Sequence, residues 1–225
     1  MSAETAQTLE GILAARFSCR GFKPDPVPRA VIERILTMAQ RVPSWCNAQP
    51  WKVEIASGET RKRFSEGLLA DVKAGAEKPD FPWPRAYEGA YLERRRTCGF
   101  QLYNAVGVPR GDRAAANRQG RRNYEFFDAP HVAVIHSEEA LGVYGAVDCG
   151  GFVTGFTLAA QSLGVATIAQ AAIAPYAPFI RDFFGLPENR LIVCGISFGY
   201  ADMDAPANGF RTQRAALDDV VAWHE

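Results

Sequence analysis

The sequence predicts one α+β domain spanning residues 1–225. Three observations lead there. Helical periodicity dominates the first third, while short runs rich in β-branched residues lie far apart along the chain. Helices and strands do not alternate as βαβ units would require. No internal repeat, low-complexity segment or linker divides the chain.

Residues 3–15 read as a helix. Residues 28–41 read as a second, with Pro28 suited to a first turn and Val31, Ile35, Met38 and Ala39 at helical spacing. Lys52-Val53-Glu54-Ile55-Ala56 alternates and is stopped by Ser57-Gly58, as a half-buried strand would be. A helix is expected over 59–74, and an irregular, proline-punctuated stretch over 76–84. Two charged helices follow, at 86–104 and 112–127; Arg94-Arg95-Arg96 reads as a solvated face of the first. His131–His136 and Leu191–Gly199 are apolar enough to be buried strands. Between them, 144–162 is a helix of small apolar residues, and 176–184 is a short helix ending near Gly185. Glycine disfavours helices, so Gly145, Gly150, Gly151 and Gly155 are expected to admit a close neighbour, as at a subunit interface. The tail, 201–225, has weak periodicity and is expected to wrap a neighbour.

Composition narrows the function. The formal net charge is +0, so no global field draws the chain to nucleic acid or acidic lipid. Apolar stretches are interrupted by Gly, Gln, Asp or Pro, and none is expected to span a bilayer. Met1–Thr5 lacks the basic start of a signal peptide. Five scattered cysteines without CxxC spacing argue against a disulfide framework, and a cytoplasmic setting is expected. The three histidines form no metal-binding pattern, so no metal site is expected. Gly150-Gly151 and Gly155 have the wrong spacing for a dinucleotide loop, and Ser44 and Ser197 lack a nucleophile-elbow context.

Two segments are over-equipped for plain connectors. Pro43-Ser44-Trp45-Cys46-Asn47-Ala48-Gln49-Pro50-Trp51 carries two indoles beside hydroxyl and amide donors, a combination suited to a flat ligand with polar edges. In Arg16-Phe17-Ser18-Cys19-Arg20, alternate residues of an extended chain would turn Arg16, Ser18 and Arg20 to one side, where they could address an anion. An ordinary basic helix end explains the same cluster. Arg211 and Arg214 add a second basic pair in the tail.

Together, R-x-S-x-R at 16–20, P-S-x-x-N-x-Q-P-W at 43–51, Ala169-Gln170-Ala171-Ala172, Gly199-Tyr200-Ala201-Asp202 and the Arg-bearing tail resemble the FMN-dependent nitroreductase family along nearly the whole chain. The resemblance implies a mixed central sheet flanked by helices, in an intertwined homodimer embraced by C-terminal extensions at 201–225. Residues 76–127 correspond to a variable helical insertion. The implied cofactor is FMN, with NADPH or NADH as co-substrate. Arg16 and Ser18 match positions at the phosphate and ribityl chain, and Arg20 one near the pyrimidine edge. Pro43, Ser44 and Asn47 match a loop packed on the flavin from the second subunit, and Trp45 within it would form a wall for an aromatic substrate. Gln170, Ala171 and Ala172 match the backbone near the hydride-accepting nitrogen, and Arg211 and Arg214 match phosphate ligands. The chain departs from the pattern at Trp45, where many relatives have Ser, and at Ala171, where Glu is common. The implied activity is ping-pong reduction of nitroaromatic compounds. Enone, halophenol or flavin reduction on the same scaffold, or flavin binding without turnover, are the alternatives.

Overall fold

A computed structural model describes residues 2–224 of the protein; Met1 and Glu225, the limits of the expected domain, lie outside it, as does the side chain of Ser2. The order is α1 (Ser2–Ala15), α2 (Arg29–Ala39), β1 (Lys52–Ser57), α3 (Gly58–Ala74), α4 (Gly89–Ala105), α5 (Arg113–Arg121), β2 (His131–Glu138), α6 (Gly142–Ser162), β3 (Ala166–Gln170), α7 (Ala177–Phe184) and β4 (Arg190–Gly199). The four strands form one sheet in the order β1-β2-β4-β3.

β2 explains the layering. Its side chains are buried on both faces, and alternate residues supply two separate cores. Val132 and Val134 join Phe64 and Leu68 of α3 and Ala177 and Ile180 of α7. Ala133 and Ile135 join Ile32, Ile35 and Ala39 of α2 and Phe152 and Phe156 of α6 on the other face. Helices thus cover the sheet on both sides, as a strand apolar on both faces requires.

Several expectations need correction. The sheet is not mixed: every ladder among the named strands is antiparallel, and the parallel pairing among the described residues is the single contact of Ser18 with Thr167. β3 was not expected from its residues; two of its five are alanine, which has weak strand preference. The helix expected over 112–127 ends at Arg121, and beyond it Phe126, Phe127 and Asp128 adopt φ of 57°, 53° and 65°. Left-handed backbone is costly for non-glycine residues. Arg122 clamps the turn by bonding Glu125 and Asp128. Along β1, three consecutive residues are half-buried, so the alternation there is incomplete.

The membrane expectation also changes. Glu139–Ser162 is long and apolar enough to cross a membrane by length and composition. Here that segment lies on β2, β3 and α2, with Cys149, Phe152, Phe156 and Ala160 buried. Gly155 allows this approach: a Cβ there would lie 2.6 Å from Val42 Cγ1 of the α2 side. Gly150 and Gly151 meet nothing within 4 Å, and Val143, Tyr144 and Val147 are exposed beside them.

His131 locks the start of β2 to the chain entering α2. Its Nε2 accepts from Val27 N at 2.9 Å, so its Nδ1 carries the proton and donates to Ser57 Oγ at 2.6 Å. The neutral ring uses both nitrogens, and burial lowers the His131 pKa. Burial also lowers that of His136, against the opposing pull of Glu54. The unfolded chain therefore takes up these protons first, near the ordinary histidine value of 6.5. Stability is full above that pH and falls as pH drops towards the lowered folded values, by at most about 1.4 kcal/mol per pH unit for each ring. Urea unfolding from pH 7.5 to 5.5 should show this decline, and His131→Gln should make it shallower; identical slopes would contradict the assignment.

Candidate functional site

The segment after α1 leaves the helix and runs extended along the sheet. Ser18 pairs in parallel with Thr167 of β3, and Cys19 N donates to Thr167 O at 3.0 Å. Phe22 then pairs antiparallel with Ala201, just beyond β4, and Lys23 N donates to Tyr200 O at 2.8 Å. This stretch therefore lies between β3 on one side and the start of the tail on the other. Arg20 lies between these two pairings.

The tail returns to the same place. A cavity of about 330 Å³ is lined by Arg16, Ser18 and Arg20 from the first segment and by Arg211 and Arg214 from the tail, with Phe17 and Cys98 among its other walls. The guanidinium of Arg211 lies 3.9 Å from the centre of the Phe17 ring, and that of Arg20 lies 6.0 Å from the Phe210 ring. Thus the two arginine clusters meet within one chain.

Their partners differ from those of Arg122 and Arg181. Arg181 is half-buried and pairs with Asp80 at 2.6 Å, and Arg122 binds Glu125 and Asp128. Among the described residues, none of Arg16, Arg20, Arg211 and Arg214 forms an ion pair with a carboxylate. Arg20 donates to Ser18 O, Arg211 to Asn208 O and Phe210 O, and Arg214 to Thr212 O and Oγ1. Burial, then the charge of Arg214, lowers the Arg16 pKa. Burial also lowers that of Arg20, partly offset by the Cys98 and Cys19 thiols. Four gathered cations without a carboxylate suit a multiply charged anion, and guanidinium forks match phosphate oxygens. The donor set fits the phosphate of FMN.

The second segment lies elsewhere. Pro43, Ser44, Trp45 and Asn47 line none of this cavity. Their loop is strained: Cys46, Asn47 and Gln49 have φ of 49°, 56° and 48°. Ser44 Oγ accepts from Gln49 N at 2.9 Å, and Ser44 O accepts from Asn47 N at 3.0 Å. Trp45 N donates to the Asp148 carboxylate of α6, and the Trp45 ring lies 5.0 Å from that of Tyr144. The two tryptophans part company here. Trp51 is buried and stacked on Phe152, so it is a core residue rather than a ligand wall. Trp45 is 64% exposed.

Gln170 ends β3 with its side chain already engaged. Nε2 donates to Asn123 O at 2.7 Å, and Ser197 Oγ donates to Oε1. A ligand at this point would meet the backbone, together with exposed Ala171 and half-buried Ala172. Arg122 is bound to its carboxylates, and Asn123 serves Gln170. Phe17, Cys98, Asn208 and Phe210 were missed in the sequence. Phe17 sits inside the R-x-S-x-R motif, but the alternation of an extended chain would turn it away from Arg16, Ser18 and Arg20; the others carry no local signal.

Comparisons with known proteins give the family. A family model described as the nitroreductase family matches residues 13–200. Nitroreductase NfnB of Mycolicibacterium smegmatis is 34% identical over 219 residues, covering 97% of this chain and 93% of that protein. A 4-nitrobenzoate reductase of Nocardioides sp. is 31% identical over 222 residues, covering 96% and 90%. The crystal structure of FMN-dependent nitroreductase NfnB from Mycobacterium smegmatis in complex with NADPH superposes with a TM-score of 0.94, at 34% identity, covering 98% of this chain and 100% of that one. By the family model, the shared sequence and the shared fold, this chain belongs to the nitroreductase family.

Proposed function

We propose that this protein is an FMN-dependent NAD(P)H oxidoreductase that reduces nitroaromatic compounds by a ping-pong route. The observation that carries the reading is the cavity where Arg16, Arg20, Arg211 and Arg214 converge without carboxylate partners. Relatives bearing the names nitroreductase and 4-nitrobenzoate reductase support the substrate class. FMN, when bound, supplies two-electron chemistry, taking hydride from NADPH or NADH and passing it to the nitro group.

The chain's own residues bind and orient. Arg16, Arg211 and Arg214, with the Ser18 hydroxyl, hold the phosphate end. Arg20 places a cation nearer the pyrimidine edge, where it favours negative charge on the reduced ring. The backbone of Gln170, Ala171 and Ala172 faces the ring, and alanine leaves its N–H groups accessible. Pro43, Ser44, Trp45 and Asn47 lie apart from the arginine cavity within one chain, so in this reading they serve the site of a second copy in a homodimer. The exposed apolar Val143, Tyr144 and Val147 of α6, next to Trp45, are surfaces such a dimer would cover. The tail, 201–224, would embrace the partner, with exposed Leu217, Val220 and Trp223 as its apolar anchors. A cytoplasmic setting fits the five free cysteines.

Anaerobic stopped-flow spectroscopy tests the reading. The flavin-loaded protein should bleach on mixing with NADPH or NADH and recolour with 4-nitrobenzoate. Failure to take up FMN, or reduced flavin indifferent to nitroaromatics, would contradict it. Arg20→Ala should remove charge-assisted bonding of about 1.5–3 kcal/mol, seen as about 10- to 100-fold weaker FMN binding or slower reduction by NADPH. Trp45→Ser should change the ratio of KM values for a one-ring nitroaromatic and a bulkier one. An unchanged ratio would remove Trp45 from the substrate wall.

A further inference from the structure

We propose that Asn208 is a positioning residue for the anion cavity, joining the two arginine-bearing segments so that they address one phosphate. The inference rests on the FMN reading. Asn208 is 1% exposed. Its Oδ1 accepts from Arg20 N at 2.7 Å. Its Nδ2 donates to Gly21 O at 2.8 Å and Asp202 O at 2.7 Å, which uses both amide hydrogens. Its own carbonyl accepts from Arg211 Nη1 at 2.8 Å. One side chain thus binds the backbone beside Arg20 and the start of the tail, while its carbonyl orients a guanidinium of the same cavity.

The chemistry of the amide matters. The four arginines repel one another, so something must hold the segments together. A carboxylate could do so but would compete with the phosphate for the guanidiniums. An amide supplies the same shape and hydrogen bonding without charge. Gly21 makes room for the joint: a Cβ there would sit 2.5 Å from Ala205 Cβ and 3.4 Å from Asn208 Nδ2. A larger residue at 21 would push the tail off the segment from the opposite side.

The test separates positioning from simple support of the fold. Full-length wild-type protein, Asn208→Ser and Gly21→Ala are titrated with FMN and with riboflavin, which lacks the phosphate, by flavin fluorescence. Circular dichroism follows folding. Wild type should prefer FMN, and each variant should lose about tenfold or more of that preference while keeping its helical signal. If Asn208→Ser does not fold, Gly21→Ala carries the comparison from the other side of the joint. An unchanged preference, whether both affinities hold or both weaken in proportion, would overturn the proposal and leave Asn208 structural. Wild-type protein without preference for FMN would remove the phosphate site itself, and with it the reading on which this proposal rests.

Discussion

The site depends on a backbone seam. Ser18–Lys23 is stitched to β3 through Cys19 N and Thr167 O, and to the chain leaving β4 through Lys23 N and Tyr200 O and through Asp202 N and Gly21 O. Each such bond contributes about 0.5–1.5 kcal/mol net. Left unmade in a buried setting, each would cost more. Cys19, Gly21 and Phe22 are buried, so the seam cannot open to water without loss. It brings residues nearly two hundred positions apart in sequence to one cavity. The seam needs a sheet with its ends in register, and that register comes from β2 and β4, whose ladder lies between the two apolar cores.

Once the seam is made, electrostatics becomes the constraint. Elsewhere two half-buried arginines find carboxylates within the fold. Arg181 has Asp80, and Arg122 has two carboxylates. At the seam the fold gathers four, and Arg20, Arg211 and Arg214 bond only carbonyl and hydroxyl acceptors. Like charges at close range oppose folding, so this arrangement makes sense as a site whose missing charge arrives with a ligand. The neutral formal charge of the chain does not conflict with it. The concentration is local.

Much of this was legible in the residues. The spacing of Arg16, Ser18 and Arg20 needed only an extended backbone to place all three in one cavity, and the structure provides it. Helical periodicity placed α2 and α3 within a residue or two. What escaped was set by tertiary context. β3 is short and alanine-bearing, and its neighbours hold it extended. The left-handed turn at Phe126–Asp128 exists because Arg122 and the surrounding core impose it. Trp51 and Trp45 sit in one motif, yet one is core and the other surface, a difference local sequence does not encode. Asn208 has no flanking pattern; its role lies in contacts with residues 19–21.

The central claim is that one phosphate lies where the seam brings the two arginine clusters together. A crystal structure of the protein grown with FMN tests it most directly. The account predicts the phosphate in the cavity lined by Arg16, Arg211 and Arg214, with Asn208 still bonded to Arg20 and Gly21. Phosphate density elsewhere, with these arginines turned to solvent, would contradict it.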